Sequence, residues 1–401
     1  MAIATGVNKQ LIYKAESTWG TLPAATGPNG QSLRRVTSTL NLKKDTYASN
    51  EIRADFQDAD FRHGMRKVEG TLSGELSPGS YKDFVAAAVR KAFASVTSIS
   101  SLTLTVAASG SFYTITRSAG SWISDGIRAG MAVRPTAGLN TASRIDCLVV
   151  TITATVLTVA PLNGAALTIE SAVASCTVAV QGKVTYVPQT GHTDPSFAFE
   201  EWHGDITQSE RFTGCKVSSL DFKMPATGIA TIDVGLMGKD VATSTSQYFT
   251  SPIAATTTGV LAAVNGVLIV NGSKLVTLTG LNVKINGNMT SEAVVGSNTA
   301  PDIFEGRVQV DGDFSAFFED GTLRDIFLAE TPIALAFAMT TDNTGTGDFL
   351  VGYLPRIKVN SADKDDGDKG IKRTYQFKAL LQPTSGAGTE VTTIQFQDSQ
   401  A

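Results

Sequence analysis

The sequence has little charge, little histidine and almost no cysteine. Charged residues make up 17% of the 401 residues, and the net charge is −4. Such a mild balance does not indicate a protein that binds nucleic acid or a membrane surface. The three cysteines are far apart and lack C-x-x-C spacing, which predicts buried thiols in a reducing compartment rather than disulfides or a zinc site. They are Cys147, Cys176 and Cys215.

A long hydrophobic run is also missing. The stretch between Asp240 and Lys274 has no charge, but its most apolar part, Ile253–Val270, is interrupted by glycine and polar residues. A membrane-spanning helix needs about 20 predominantly apolar residues. We therefore expect no membrane span. The Asn-Gly dipeptide in this stretch predicts a pair of strands, Gly259–Ala263 and Val267–Val270. The first ten residues lack the apolar core of a secretory signal, so none is expected.

Signatures of catalysis are absent from the sequence as well. It contains no G-x-S-x-G, H-E-x-x-H or Walker A pattern. In Glu200–His203 a carboxylate–histidine site is conceivable, but on a strand only Glu201 and His203 share a face, and a solvated strand edge is favoured. The acidic segment Asp363–Gly370 resembles a calcium loop, yet Thr374 stands where an EF-hand has its bidentate glutamate, so an exposed hairpin tip is predicted. We predict no catalytic residue, no metal and no cofactor.

What the sequence does contain is typical of an all-β protein. Thr, Ser, Gly, Val and Ala dominate, and the length suggests two or three domains. A block near the start predicts a strand (Leu33–Lys43), a long charged segment (Lys44–Arg66), a second strand (Lys67–Leu76) and a helix (Ser80–Phe93). We call Lys44–Arg66 the first arm. Loops longer than about 12–15 residues are usually functional or disordered.

Aromatic and apolar residues alternate with charges of both signs in the first arm, which argues against disorder. We therefore predict that the arm docks on a partner. Its candidate contact residues are Glu51, Ile52, Arg53, Asp55, Phe56, Asp58, Phe61 and Arg62.

A second block repeats the first. It predicts a strand (Leu275–Ile285), a second arm (Asn286–Gly306), a strand (Arg307–Phe314) and a helix (Thr322–Glu330). The second arm has fewer charges and contains a proline, so the two arms need not make the same contacts. Its candidate contact residues are Glu292, Pro301, Asp302 and Phe304.

The spacing between the repeats locates an insertion. Lys82 aligns with Arg324 at an offset of 242, whereas Phe197 aligns with Leu335 at 138, a difference of 104 residues. The same comparison aligns Gly74 with Gly312 and Phe212 with Leu350. Sparse charge and β-branched runs over 96–192 are typical of a small β-barrel or sandwich. We predict a first domain of 1–95 and 193–245, an inserted domain of 96–192, connecting strands over 246–273 and a second domain of 274–401.

Several motifs resemble tail tube proteins of long-tailed, siphovirus-type bacteriophages. They are Tyr13–Pro23, Glu51–Asp55, Asp60–Gly64 and Val68–Gly79, with Asn265–Leu268 in addition. The resemblance implies a mainly β chain with two tail-tube-type β-sandwich domains in tandem, each with one flanking helix, plus an inserted small β domain. It also implies that the sheets of neighbouring subunits join around a channel, and that the long arms reach an adjacent ring or subunit.

The resemblance further implies a structural virion protein, assembled in the host bacterial cytoplasm, that forms stacked rings through which the genome passes at ejection. Its partners would be itself, a tape measure protein in the lumen, and tail terminator and baseplate proteins at the ends, with DNA passing unbound. The duplication favours a ring of three protomers with pseudo-sixfold symmetry over a true hexamer, with the insertion on the tube exterior. A virion decoration or adhesin-type protein that binds a cell surface is the alternative, and a cell-wall hydrolase is a third hypothesis.

Overall fold

The computed structural model describes residues 3–25, 30–365, 369–384 and 388–401. It is built mainly of antiparallel strands with two short α-helices, which confirms the predicted fold class. Buried and exposed side chains alternate along the strands, as in Thr231–Gly238, because successive residues of a strand point to opposite faces. Neither helix is long and apolar enough to cross a membrane.

The first half of the chain supplies strands to three different sheets. It begins with β1 (Lys9–Ala15), β2 (Gln31–Ser32), β3 (Thr37–Ser38), β4 (Asn41–Ala48), β5 (Phe61–Glu75) and helix α1 (Lys82–Val89). It continues with β6 (Ile99–Ser109), β7 (Phe112–Arg117), β8 (Ala132–Ala137), β9 (Cys147–Ile152), β10 (Val156–Pro161), β11 (Glu170–Val180) and β12 (Lys183–Tyr186). Short 3-10 helices span Gly6–Asn8 and Thr141–Ser143.

The second half completes the first unit and builds the second. The first unit receives β13 (Phe197–His203), β14 (Gln208–Pro225), β15 (Thr231–Gly238) and β16 (Asp240–Ser244). A 3-10 helix (Ala263–Asn265) precedes β17 (Gly266–Val270), β18 (Ser273–Lys274), β19 (Leu278–Asn286), β20 (Thr290–Ser291), β21 (Ile303–Phe304) and β22 (Gln309–Phe317). Helix α2 (Thr322–Leu328), β23 (Ile333–Thr340), β24 (Phe349–Lys364), β25 (Lys372–Ala379) and β26 (Gln395–Asp398) follow.

Eight strands form a continuous sheet, which we call the inner sheet. The first unit contributes the order β4-β5-β15-β14 and the second contributes β19-β22-β25-β24. The two halves are joined by antiparallel pairing of β14 with β19, from Ser219 opposite Asn286 to Pro225 opposite Gly280. The same four-strand order therefore occurs twice in one sheet.

A smaller outer sheet covers the inner sheet in each unit. The first is ordered β2-β1-β13-β14-β16 and the second β18-β17-β23-β24-β26-β12. Strands β14 and β24 pass from the outer sheet into the inner one. A single hydrophobic core lies between the layers and crosses the unit boundary, where the rings of Phe222 and Phe396 are 5.1 Å apart.

The helices are shorter than predicted and are packed unequally. Helix α1 ends at Val89 because Arg90 adopts a left-handed conformation (φ 61°), and its N–H bonds back to Ala87. Helix α2 stops in the same way at Glu330 (φ 51°). Five residues of α1 are buried but none of α2. The second helix therefore has an uncovered side.

The insertion forms a closed barrel in the order β10-β7-β6-β11-β8-β9. Its core includes Val267, Ala336 and Val351, which lie on the outer face of the second outer sheet. The chain leaves and re-enters the first unit at one point, where the Thr193 N–H donates to the Arg90 carbonyl at 2.9 Å. The barrel is thus inserted in the connection between α1 and β13. The exact domain limits stay a prediction.

Matching β-bulges define which residues of the two units are equivalent. The register shifts between Phe197–Cys215 and Phe199–Phe212 in the first unit, and between Ile333–Ile357 and Leu335–Leu354 in the second. Phe197 is therefore equivalent to Ile333 and Phe212 to Leu354, at offsets of 136 and 142. The predicted pairings of Phe197 with Leu335 and Phe212 with Leu350 are wrong by two and four residues.

The glycine alignment is also wrong. A second pair of bulges places Gly70 beside Leu236 and Gly312 beside Phe377, so Gly70 corresponds to Gly312 at an offset of 242. The helix ends Arg90 and Glu330 correspond at 240, so the predicted alignment of Lys82 with Arg324 is wrong by two residues. A Cβ atom at Gly70 would collide with the backbone of Thr39 and Leu40, between β3 and β4, and one at Gly312 with the Asn282 carbonyl of β19. Gly74, the predicted equivalent, instead lies opposite Ile232.

The two hairpins predicted from turn signals have different outcomes. The predicted Asn-Gly hairpin is wrong, because the residues before Gly266 form a 3-10 turn and β17 pairs with β23 and β18 instead. The tip of the predicted acidic hairpin, residues 366–368, lies outside the described residues, but the flanking strands β24 and β25 do pair, up to Lys364 opposite Arg373.

The unequal packing of the helices predicts unequal mutational costs. Phe84 is fully buried in α1, so Phe84→Ala should lower the free energy of unfolding by about 3–5 kcal/mol. Ile326 of α2 packs against the same core but is only half-buried, so Ile326→Ala should cost about 1 kcal/mol or less. Urea denaturation of the protomer measures both. Equal costs would mean that α2 is as well covered as α1.

Candidate assembly interface

The inner sheet ends in two open edges. Strand β4 pairs only with β5, and the segment 358–364 of β24 has β25 on one side and no described strand on the other. Unpaired edges attract another chain, because their backbone donors and acceptors need partners. By the equivalence above, these edges correspond to β19 and β14, the two strands that join the units within the chain.

The exposed face of the inner sheet is polar, with lysines and carboxylates in matched numbers. Lys223 forms a salt bridge with Asp233 at 2.5 Å. Glu69 forms salt bridges with Lys43 at 2.8 Å and with Lys67 at 2.7 Å. Partial burial opposes ionisation of Glu69, but the two lysines hold its pKa below the usual range. The charged residues are Lys43, Lys67, Lys223, Lys284, Lys358, Lys372 and Lys378 with Glu69, Glu75, Asp221, Asp233, Asp311, Asp313 and Asp363.

The first arm is a hairpin that extends beyond the sheet. Strands β4 and β5 pair as far as Ala48 opposite Phe61, so its ends are strands rather than the predicted loop. Residues 50–63 are exposed, and Ile52 and Phe56 are almost fully accessible at 102% and 98%. Contiguous exposed apolar side chains of this size mark interaction sites.

Ion pairs within the first arm order its tip. Arg53 bonds Asp55 at 2.8 Å and lowers its pKa, while Arg62 bonds Asp60 at 3.0 Å. Glu51 and Asp58 are exposed beside them. The structure therefore brings the predicted contact residues of this arm together on one projecting hairpin, and no surface formed by the described residues covers them.

The second arm, in contrast, is docked on the first unit. Lys216 of β14 donates to Asp194 at 2.6 Å, to Asp302 at 3.1 Å and to the Ile303 carbonyl at 3.0 Å. The Lys216 side chain is only 3% exposed. Burial alone would lower the pKa of Lys216, but the two carboxylates outweigh it and raise the pKa above its usual range. The Ile303 side chain is buried next to this cluster.

A second cation fixes the base of the second arm. Arg90, at the end of α1, lies 3.3 Å from Glu305 and donates to the Gly306 carbonyl at 2.8 Å. Farther out, the Asn298 carbonyl accepts the N–H of Arg66 at 2.8 Å. Burial raises the pKa of Glu305, and the nearby Arg90 partly offsets that rise.

Sequence reasoning located both arms but missed the residues that hold them. Of the four predicted contacts in the second arm only Asp302 binds the first unit, whereas Glu292, Pro301 and Phe304 are exposed. Lys216, Arg90 and Glu305 were not predicted. The signal that could have found them was an isolated lysine in a strand whose neighbours are otherwise small or apolar, together with a repeat alignment at the correct offset.

The segment Glu200–His203 is not the solvated edge that was predicted. Strand β13 lies between β1 and β14, so Glu200 and Glu201 are 0% and 3% exposed. Glu200 accepts hydrogen bonds from Ser209 and from the N–H groups of Tyr248 and Phe249, and Glu201 pairs with Lys9. These carboxylates hold neighbouring segments in place. Within the described ranges no group of three His, Cys, Asp or Glu residues could hold a metal.

The three cysteines are buried and free, as predicted. Burial raises the pKa of the Cys147 and Cys215 thiols, which keeps them protonated and unreactive at neutral pH.

The Lys216 cluster predicts that one side chain controls the docking of the second arm. Lys216→Met should release residues 299–304, because Asp302 and the Ile303 carbonyl lose their buried donor, at a cost of about 1–3 kcal/mol. Hydrogen exchange of these amides should accelerate accordingly. Lys223→Met, which breaks an exposed pair on the inner sheet, is the matched control and should leave the arm unchanged. Unchanged exchange in both variants would refute the assignment.

Comparison with known proteins agrees with this arrangement. The family model described as phage tail tube protein matches residues 6–379, which span the inner sheet, both arms and the inserted barrel. No curated protein matches the chain. The tail tube family is a structural family of the virion tail. This chain therefore belongs to the phage tail tube protein family.

Proposed function

We propose that the protein is a structural subunit that assembles into rings, and that the rings stack into the tube that conducts the genome. One observation carries the proposal: the two open edges of the inner sheet are equivalent to the two strands that already pair inside the chain. Pairing of β24 with β4 of a neighbouring protomer would repeat the β14–β19 junction. It would leave no edge of the inner sheet unpaired.

The internal junction also supplies the register. Ser219 lies opposite Asn286. Ser219 corresponds to Ser361, and the register of β4 and β19 makes Asn286 correspond to Lys43. The ring junction would therefore place Ser361 of one protomer opposite Lys43 of the next, with Asp363 opposite Asn41.

Barrel geometry favours three protomers over six. Each protomer offers eight inner strands, so three give a barrel of 24. With strands about 4.8 Å apart and tilted by about 35–45°, that barrel is roughly 45–52 Å across between backbones. Six protomers would give roughly 90–100 Å by the same reasoning, far wider than a DNA duplex requires. A ring of three has six pseudo-equivalent positions.

The polar face of the inner sheet has the properties of a conduit wall. Excess lysine or arginine would bind phosphates and release counterions, which would retain the DNA. On this face lysines and carboxylates neutralise each other in pairs such as Lys223 with Asp233. We infer that this face lines the lumen, where a tape measure protein would lie before DNA replaces it. The inserted barrel packs on the opposite side, against the second outer sheet, and would decorate the exterior.

Electron microscopy of the purified protein tests the proposal. Rings or tubes should appear as the concentration rises. In the assembled tail, terminator and baseplate proteins would lie at the ends of the tube. Monomers alone at high concentration, even in the presence of tail fractions, would overturn the proposal.

The proposed register makes a charge-specific prediction. Ser361→Lys places a second lysine opposite Lys43 of the neighbour, and like charges directly opposite destabilise a strand pair by about 0.2–1 kcal/mol at each junction. The concentration needed for assembly should rise, most clearly at low salt. Ser361→Glu, the matched control, should assemble at least as well as the parent, as measured by sedimentation. Equal behaviour of both variants would rule out this register.

The first arm gives another prediction. Deletion of Asn50–Arg62, closed by a short turn, should leave a folded protomer, because these residues are exposed and contact no core. The variant should keep its circular dichroism spectrum and fail to form tubes. Global unfolding would show instead that the arm belongs to the core.

A further inference from the structure

The second arm and the first arm have the same design, but only one of them is docked. Residues 60–70 and 302–312 align without a gap and share Asp60 with Asp302, Gly64 with Gly306, Val68 with Val310 and Gly70 with Gly312. Phe61 is equivalent to Ile303. The Ile303 side chain is 2% exposed, whereas that of Phe61 is 57% exposed. The first arm thus presents the contact residues of a docked arm without the surface that receives them.

The receiving surface is also repeated. Lys216 follows Cys215 in β14, and its equivalent in β24 is Lys358, which follows Ile357. Lys216 binds Asp194, and Lys358 binds Glu330 at 3.3 Å, in the equivalent position before the next strand. Lys216 has a second carboxylate, Asp302, from the docked arm. Lys358 has no such second partner among the described residues.

The exposed side chains of the second unit show that its equivalent surface is uncovered. The Lys358 side chain is 38% exposed and that of Glu330 is 81% exposed, compared with 3% for Lys216. Leu328 is 69% exposed, although Ala88, its equivalent before the left-handed cap of α1, is 7% exposed. Lys358, together with the exposed Leu328 two residues before its partner Glu330, is the complement of an aspartate followed by an aromatic ring.

We propose that the first arm of each protomer docks on the second unit of its neighbour in the ring, with Asp60 bound to Lys358 and Phe61 packed beside it. The occupant is a second copy of this chain, because the arm that fills the equivalent surface within the chain belongs to the unit joined to it by strand pairing. The inference rests on the proposed ring, in which β24 of one protomer adjoins β4 of the next.

The two kinds of junction would differ in their second charge pair. Arg90 binds Glu305 inside the chain, whereas His63 stands in the first arm where Glu305 stands in the second. The junctions within and between protomers would therefore alternate around the ring and could not exchange arms freely.

Cross-linking tests the contact directly. Unlabelled protein and ¹⁵N-labelled protein are mixed, assembled and treated with a carbodiimide, which joins a carboxylate to an amine in contact. We expect an Asp60–Lys358 peptide of mixed isotope composition. The Asp302–Lys216 peptide, which is formed within one chain, is the internal control and should never be mixed. Assembled tubes that yield the control peptide but no Asp60–Lys358 peptide would overturn this inference and leave the ring intact.

Charge reversal provides the functional test. Asp60→Lys should raise the concentration needed for assembly by roughly tenfold or more, because it places two cations together in a site that docking covers. Asp58→Lys carries the same charge change two residues away, where the equivalent residue is the uncharged Ala300, and should change assembly by less than about threefold. Adding Lys358→Glu to Asp60→Lys should restore assembly in part.

The outcomes separate the two proposals. If the parent protein never forms rings or tubes, the proposed function fails and this contact fails with it. If the parent assembles but Asp60→Lys and Asp58→Lys behave alike, only the docking of the first arm is refuted. Selective loss with Asp60→Lys and recovery in the double variant would establish the contact.

Discussion

The edges of a β-sheet carry backbone donors and acceptors that must find partners, and this requirement governs the whole molecule. Strands β14 and β19 satisfy each other's backbone groups within the chain, and their pairing joins two four-stranded sheets into one of eight strands. The same duplication leaves β4 and β24 open at the ends. The junction inside the chain is therefore a template for the proposed junction between neighbouring protomers.

The arms reinforce the same junction. Beside the β14–β19 seam, the second arm places Asp302 on Lys216 and buries Ile303. Backbone pairing alone specifies the register weakly, because backbone groups are the same at every residue. The buried Lys216, in contrast, can reach both of its carboxylate partners in one register only. The second arm therefore fixes the alignment of the β14–β19 junction, and the strands supply most of its hydrogen bonds.

The sequence predicted the fold class, the internal repeat, both arms and the free cysteines, because each depends on local pattern or composition. The repeat offsets were misjudged by two to four residues, because the connection between β23 and β24 is longer than that between β13 and β14 and the sequence does not show where the extra residues lie. Glu200 was predicted to lie at a sheet edge, because the alternation of residues in β13 does not show that β1 pairs with this strand. The docking lysine was missed for a related reason: its partners are far away in sequence and meet only in the folded sheet.

The central claim is that one chain supplies two of the six equivalent positions in a ring. The mass of an isolated ring, determined by native mass spectrometry, tests this most directly. The account predicts three times the mass of the protomer, with the rings dissociating into single protomers rather than into dimers. A ring of six protomers would contradict the claim, because the eight-stranded inner sheet could not then occupy two positions of a six-position barrel.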